Sequence, residues 1–290
     1  MTESDRELAL ESYNTIVLRS FSKKPGAKVG LAILVLIALM AVIGPWLTPY
    51  SPVTINPPDS MQPPSIKHPM GTDRFGRDVL SRVMIGARAS LLVGFLAVAI
   101  GTTLGTAIGL FSAVSGGRVD GIVMRVMDLW FAFPTLLLAL SIVAVLGPSL
   151  TNAVYAVGIS TVPSYARLVR GCTLSVLQST YVLAARATGA SSLRIALRHV
   201  LPNVMAPIIV LSTFAIASCI LTAAGLSFLG LGAQPPQPEW GADLSAGRNY
   251  LRQAWWISTL PGFAIMLVTV SINLVGDGLR DALDPRLKID

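Results

Sequence analysis

Few side chains in this sequence are placed to make or break covalent bonds. The two histidines, His68 and His199, lie far apart, and only His68 has acids near it, Asp73 and Asp78. Those three could in principle hold a metal, but no second histidine is at hand. Cys172 follows a polar, Arg-bearing stretch while Cys219 sits inside an apolar run, so the two read as packing residues rather than a disulfide. The zinc-protease pattern H-E-x-x-H, the nucleophile elbow G-x-S-x-G and the phosphate loop G-x-x-x-x-G-K-[ST] are all missing, and no Gly-Lys dipeptide occurs. The sequence therefore predicts no enzyme, no metal site and no cofactor of its own.

The elements that carry these residues are apolar. Of 290 residues, 53% are hydrophobic and only 13% are Asp, Glu, Lys or Arg, with a mean hydropathy of +0.66. A soluble chain carries about 25% charge, so roughly half of it is missing here. No repeat or low-complexity pattern suggests collagen, a coiled coil or a disordered tail. Six apolar runs come close to the roughly 20 residues needed to cross a bilayer: Val29–Leu47, Ser90–Val114, Leu129–Leu146, Leu150–Ala166, Val204–Leu226 and Ile257–Val275. The fourth is the most polar, with Asn152, Ser160, Thr161, Pro163 and Ser164. The first is too long for a cleaved leader and lacks a small-x-small site, so it is expected to remain as a span. The predicted fold is an all-α integral membrane protein with six transmembrane helices.

Charge sets the orientation. With the N-terminus inside, the inner segments 1–28, 115–128, 167–203 and 276–290 hold 5, 2, 5 and 3 basic residues. The outer segments 48–89 and 227–256 hold 5 and 2. An excess of Lys and Arg inside is the usual rule, so both termini are expected in the cytoplasm. The net charge of +7 is then a topology signal, and nucleic acid is not an expected partner. None of the charged residues falls at the centre of a run, which disfavours a proton relay or voltage sensor. If this chain moves something, the energy must come from elsewhere.

Several segments invite local readings. Ala97, Gly101, Gly105 and Gly109 place small residues at every fourth position of the second run, a face for close helix packing within the chain or against a second subunit. Leu10, Tyr13, Val17 and Phe21, beside Arg6, Glu11 and Arg19, predict an amphipathic helix lying on the inner leaflet before Lys23-Lys24. Asp73 is expected to cap a helix starting near Phe75, and Asp78 to pair with Arg82 at i,i+4. In the longest inner loop, Leu193, Ala196, Leu197 and Val200 share one helical face, with Arg194 and Arg198 on another. Ahead of it Tyr181–Thr188 is rich in helix formers, and Gly189 suits a C-cap. Together they predict a helix–turn–helix knob.

The knob, YVLAARATGASSLRIALRHVLPN from Tyr181 to Asn203, resembles the EAA loop of ABC-importer permeases: E-A-A, three residues, G, nine residues, I, any residue, L-P. Ala184, Ala185, Gly189, Leu201 and Pro202 fall in register, while Leu183 stands where the family has Glu and His199 where it has Ile. The resemblance implies a type I ABC importer permease fold, with this loop docking into a cytoplasmic ATPase. Ala184 and Ala185 would permit close approach, Gly189 the turn, and Leu201-Pro202 a return into the fifth span. Arg186 would contribute where Leu183 removes the acidic contact.

Three further stretches, His68–Leu91, Pro238–Gly262 and Gly276–Arg286, look like the C-type permease of dipeptide, oligopeptide and nickel importers. That resemblance implies a homologous permease as partner, two cytoplasmic ATPase domains that bind ATP and Mg, and an extracytoplasmic binding protein. Thr72, Asp73, Trp240, Arg248 and Tyr250 are the candidate contacts for that protein. The expected organisation is an N-terminal segment 1–28, a first span 29–47, an outer loop 48–89, a five-helix core 90–275 containing the loop 181–203, and a tail 276–290. The expected function is peptide import at the cytoplasmic membrane. Nickel-chelate uptake is the alternative within transport, and a non-transporting scaffold or receptor the alternative outside it.

Overall fold

The computed structural model describes residues 13–283. Arg6, Leu10 and Glu11 of the expected N-terminal helix lie outside them, as does the tail beyond Leu283. The regular structure of the described residues is helical, with short 3-10 turns and one bridge between Thr72 and Asp78. Helix α1 (Tyr13–Ser22) leads into α2 (Pro25–Leu47), which Pro25 starts because its fixed φ and missing N–H suit a first turn. A long coil then brings the chain to α3 (Val79–Ser115). Asp78 caps α3, its Oδ2 accepting from the Ser81 N–H at 2.8 Å, and Gly116 ends it at φ +64.

Next come α4 (Gly117–Phe131) and α5 (Thr135–Leu146), bent by 89° across a break at Ala132–Pro134. The run Leu129–Leu146 was expected to be one rod. Pro134 cannot donate a backbone hydrogen bond and disfavours helical backbone in Phe133, so the rod stops there. Helix α6 (Leu150–Leu177) keeps going through Pro163. A short α7 (Thr180–Ala187) precedes α8, which runs unbroken from Ser192 to Phe228 through a π-helical stretch at Ile195–Val200. A small α9 (Trp240–Gly247) and the long α10 (Trp256–Leu283) complete the described residues.

Close contacts fix how the helices run. A Cβ on Gly101, Gly105 or Gly109 would meet Thr161 Oγ1 at 2.0 Å, Tyr165 Cβ at 2.4 Å and the Ala166 carbonyl at 2.4 Å. The α6 carbonyls these added atoms would meet, those of Gly158, Val162 and Ala166, also advance four at a time, so these two helices run parallel with their backbones nearly touching. Gly158 of α6 answers from the other side, where an added Cβ would lie 2.9 Å from the Ala97 carbonyl. The stripe of small residues is a seam inside this chain. Helix α2 lies antiparallel to α10, with Gly30 against Ser271 and Gly278 against Ala27. The Lys24–Asp281 ion pair (2.6 Å) closes that end.

Two apolar clusters fill the bundle. One joins α3, α5, α6 and α8 through Val93, Val143, Val157, Val169 and Ile208. The other joins α2, α3, α8, α9 and α10 through Ile37, Ala87, Ile220, Trp240 and Val268. Outside them, Leu36, Val42 and Trp46 of α2, Phe95 of α3 and Val270 of α10 are exposed. Burying one such side chain is worth about 1.5–3 kcal/mol, so a girdle of them suits lipid and not water. By length and composition four helices qualify as spans, and a fifth does if the bent α4–α5 pair is one crossing. Helix α6 fails that test although it is 28 residues long. The reason is its polar composition, with Asn152, Ser160, Thr161 and Ser164, which its position accommodates: Ser160 and Thr161 bond back to the carbonyls of Val157 and Gly158 at 2.7 Å.

Candidate functional site

Two polar constructions occupy opposite ends of the bundle. At one end, α7 and the start of α8 form a hairpin. Its turn is a Schellman motif: the Ala190 N–H reaches back to the Ala185 carbonyl and the Gly189 N–H to that of Arg186, both at 3.0 Å. Gly189 adopts φ +85, a left-handed geometry that an L side chain resists. Ser191 then caps α8 by accepting from the Arg194 N–H. Val182, Ile195 and Val200 are wholly or almost wholly buried and root the hairpin in the larger apolar cluster.

The hairpin's other face points away from the protein. Leu183, Leu193 and Leu197 are 51%, 68% and 52% exposed, and Ala184, Arg186, Arg194 and Arg198 are exposed beside them, with Ala185 half-buried. His199 is half-buried, its ring 6.4 Å from that of Tyr181. The face that Leu193, Ala196, Leu197 and Val200 were expected to share is therefore divided, with only Ala196 and Val200 turned inward. The π-helical stretch supplies the reason, because a wider turn shifts the residues that face the core away from strict i, i+4 spacing. Leu201 and Pro202 lie within the continuous α8, which leads from the hairpin into the fifth apolar run, and the i,i+5 bond from the Leu201 N–H to the Ala196 carbonyl relaxes the ladder just ahead of the Pro202 ring.

At the far end, charged residues are buried in a clasp. Asp73 Oδ1 accepts from the N–H groups of Phe75 (2.8 Å) and Arg77 (2.9 Å), and Arg77 Nε donates to Oδ2 at 2.6 Å. Asp73 thus organises a tight loop, while the helix begins later, at Val79 under the Asp78 cap. Asp78 is not paired with Arg82 as expected; its Oδ1 lies 2.9 Å from His68 Nδ1. Arg82 crosses instead to α9, where Nε donates to Asp243 Oδ1 at 2.9 Å, and its Nη1 donates to the Pro52 and Pro236 carbonyls. Glu239 caps α9 by accepting from the N–H groups of Gly241 and Ala242. The arginine therefore ties the 48–78 segment, α3 and the 227–256 segment together. A partner 161 residues away left no trace in local spacing.

This clasp revises the outer contact residues. Thr72 and Trp240 are fully buried and Asp73 is 5% exposed. The Trp240 N–H donates to the Val83 carbonyl (2.9 Å), and Thr72 is held by Asp59, Gln62 and Trp256. Apolar bodies with one polar handle each belong in the interior once that handle is satisfied. Arg248 remains exposed and Tyr250 half-buried. Nor do His68, Asp73 and Asp78 form a ligand set, since Arg77 occupies the Asp73 carboxylate. Among the described residues no three His, Cys, Asp or Glu are grouped to hold a metal.

An all-helical, lipid-girdled bundle with a rooted hairpin at one end and a rigid clasp at the other is the build of a transporter's membrane subunit. Residues 105–289 match the family model described as the binding-protein-dependent transport system inner membrane component, and residues 12–64 match the N-terminal transmembrane domain of oligopeptide transport permease C. A di/tripeptide transport system permease protein of Pseudomonas aeruginosa is 45% identical over 98% of this chain and 96% of its own length. A probable D,D-dipeptide transport permease of Escherichia coli is 47% identical over 88% of this chain and 85% of its own. Among solved structures, an inward-facing MetNI methionine ABC transporter superposes with a TM-score of 0.58 at 16% identity, over 70% of this chain and 96% of that one. The chain belongs to the family of binding-protein-dependent transport inner-membrane components. It is a multi-pass inner-membrane permease subunit of an ABC importer and performs no catalysis itself.

Proposed function

We propose that this chain is one half of the translocation pathway of an ATP-driven importer of di- and oligopeptides, paired with a homologous permease. It crosses the membrane six times, as α2, α3, the bent pair α4–α5, α6, α8 and α10, with both termini in the cytoplasm. The Lys24–Asp281 pair at the hairpin end supports that placement of the termini, and so does the basic excess on that side. Two cytoplasmic ATPase domains bind ATP and Mg and engage the hairpin through Leu183, Ala184, Ala185, Arg186 and Gly189. An extracytoplasmic binding protein meets the opposite end at Arg248 and Tyr250. The peptide assignment draws on the relatives' names.

The observation that carries this reading is the two-faced hairpin. Val182, Ile195 and Val200 anchor it, while Leu183, Leu193 and Leu197 are left bare between arginines. Apolar side chains standing outside the apolar girdle need a protein partner to cover them. The test is co-purification in mild detergent, followed by uptake of labelled dipeptides, longer peptides and nickel chelate in proteoliposomes. Peptide-stimulated ATP hydrolysis that Gly189→Asp abolishes is the expected result. Recovery without any ATPase, or stimulation by nickel chelate alone, overturns it.

A further inference from the structure

At the hairpin end of the bundle three helices meet on one carboxylate. Arg170 of α6 donates to Asp120 of α4 through Nε at 2.6 Å and Nη2 at 2.5 Å. Ser112 of α3 adds its hydroxyl at 2.6 Å. The Asp120 side chain is only 13% exposed and that of Arg170 32%. A forked guanidinium on a carboxylate is among the strong, direction-setting contacts available to a protein.

The location matters as much as the strength. Helix α6 runs seven residues beyond Arg170, to Leu177, and the hairpin begins at Thr180. Val169 sits beside Arg170 in the same apolar cluster that holds Val182, Ile195 and Val200. The hairpin and the lower end of α6 are thus one packed body. Helix α4, on the other side of the carboxylate, buries only Met127, in a small cluster with Val162 and Ala166. Met124 and Trp130 pack against that cluster from its edge, and Arg167 lies over the Phe131 ring. The start of α4 is a turn through two glycines with positive φ, Gly116 and Gly117, and its end is the 89° bend into α5. A sparsely buried helix set between a glycine turn and a sharp bend follows whatever grips it. The second pair, Arg167 to Asp128 at 2.7 Å, is 47% and 61% exposed and grips weakly, as exposed pairs do.

We propose that Asp120, through Arg170 and Ser112, is the positioning residue that makes α4 move with the hairpin, passing hairpin displacement to the bent α4–α5 pair. This rests on the hairpin being the ATPase contact. Arg170→Lys keeps the charge but loses the fork, Asp120→Asn loses the charge, and Asp120→Arg with Arg170→Asp restores a reversed pair. Asp128→Asn is the charge-matched control. In the reconstituted complex, the ratio of ATP hydrolysed to peptide imported is expected to rise roughly threefold or more in the two single variants. The reversed pair should lower it, and Asp128→Asn should leave it at the wild-type value. Amide exchange should quicken in 117–131 and 180–187 while the α3–α6 seam stays protected.

A wild-type ratio in both single variants overturns the proposal. So does exchange that quickens uniformly and is not rescued by the reversed pair, since that marks a stabilising contact only. Failure of the underlying reading looks different. In that case the wild-type chain recruits no ATPase, and the exchange pattern of the membrane-embedded chain still decides whether Asp120 links the two segments.

Discussion

At the scale of single residues, glycines do the most visible work. Gly109 packs so that an added Cβ would lie 2.4 Å from the Ala166 carbonyl and 3.0 Å from Val169 Cβ. Both obstacles are backbone or the stem of a side chain, so neither can swing aside. Gly109→Ala is expected to destabilise the protein by about 1–3 kcal/mol, the usual cost of overpacking. Gly121, in the middle of α4, has nothing within 4 Å of the same added atom and no positive φ. Gly121→Ala should stabilise by roughly 0.5–1 kcal/mol, because alanine loses less backbone entropy in a helix. Thermal unfolding in one detergent, with the two variants side by side, checks the opposite signs. Equal shifts would mean that the α3–α6 seam is looser than these contacts.

Among the elements, the hairpin makes the sharpest prediction because its two faces are chemically distinct. Leu183→Glu adds charge to an exposed site, so the chain should fold and insert normally. Its binding to wild-type ATPase should change in affinity without loss of thermal stability. Val182→Glu buries the same charge where exposure is zero. An unpaired buried charge costs several kcal/mol, so that variant should lose stability and the hairpin together. A thermal scan and a pull-down on the same preparation separate the cases, and a Leu183→Glu protein as unstable as Val182→Glu contradicts the assignment of faces.

These elements also show what sequence could and could not reveal. The helix–turn–helix was legible because Gly189 and the 3.6-residue periodicity act locally, and so was the stripe of small residues. The π-helical stretch was not, because a hydrogen-bond register has no compositional mark, and it is what exposes Leu197 and carries α8 past Pro202. The partners of Arg82 and Asp120 were equally invisible. Both bonds join helices brought together by packing, not by proximity along the chain. Trp240 was misread as a surface residue since an indole at a loop boundary looks the same whether it faces lipid headgroups or, as here, the Val83 carbonyl.

On the scale of the whole molecule, the clasp should make stability depend on pH. Asp243 lies in α9 with Arg82 on one oxygen, while Oδ2 is buried with no donor among the described residues. Burial pushes its carboxyl from 3.8 up to about 6, with the charge of Glu239 adding to the rise and Arg82 and Arg77 opposing it. Asp73 lines the same small cavity but is already held by Arg77. A carboxyl that holds its proton more tightly when folded favours the folded state most below about pH 4, and this contribution is lost as the pH climbs through about 6. The loss is the cost of keeping an ionised carboxylate buried where the 48–78 segment, α3 and α9 meet. Wild-type protein should therefore lose thermal stability between pH 4.5 and 7.5, and Asp243→Asn, which has no proton to lose, should show a flatter profile. Asp243→Asn puts an amide where a carboxyl oxygen accepts from Arg82, so its absolute stability will differ, and the slope and not the midpoint is the quantity to compare. Parallel profiles would mean that Arg82 outweighs burial and keeps Asp243 ionised across the range, making the clasp a fixed strut.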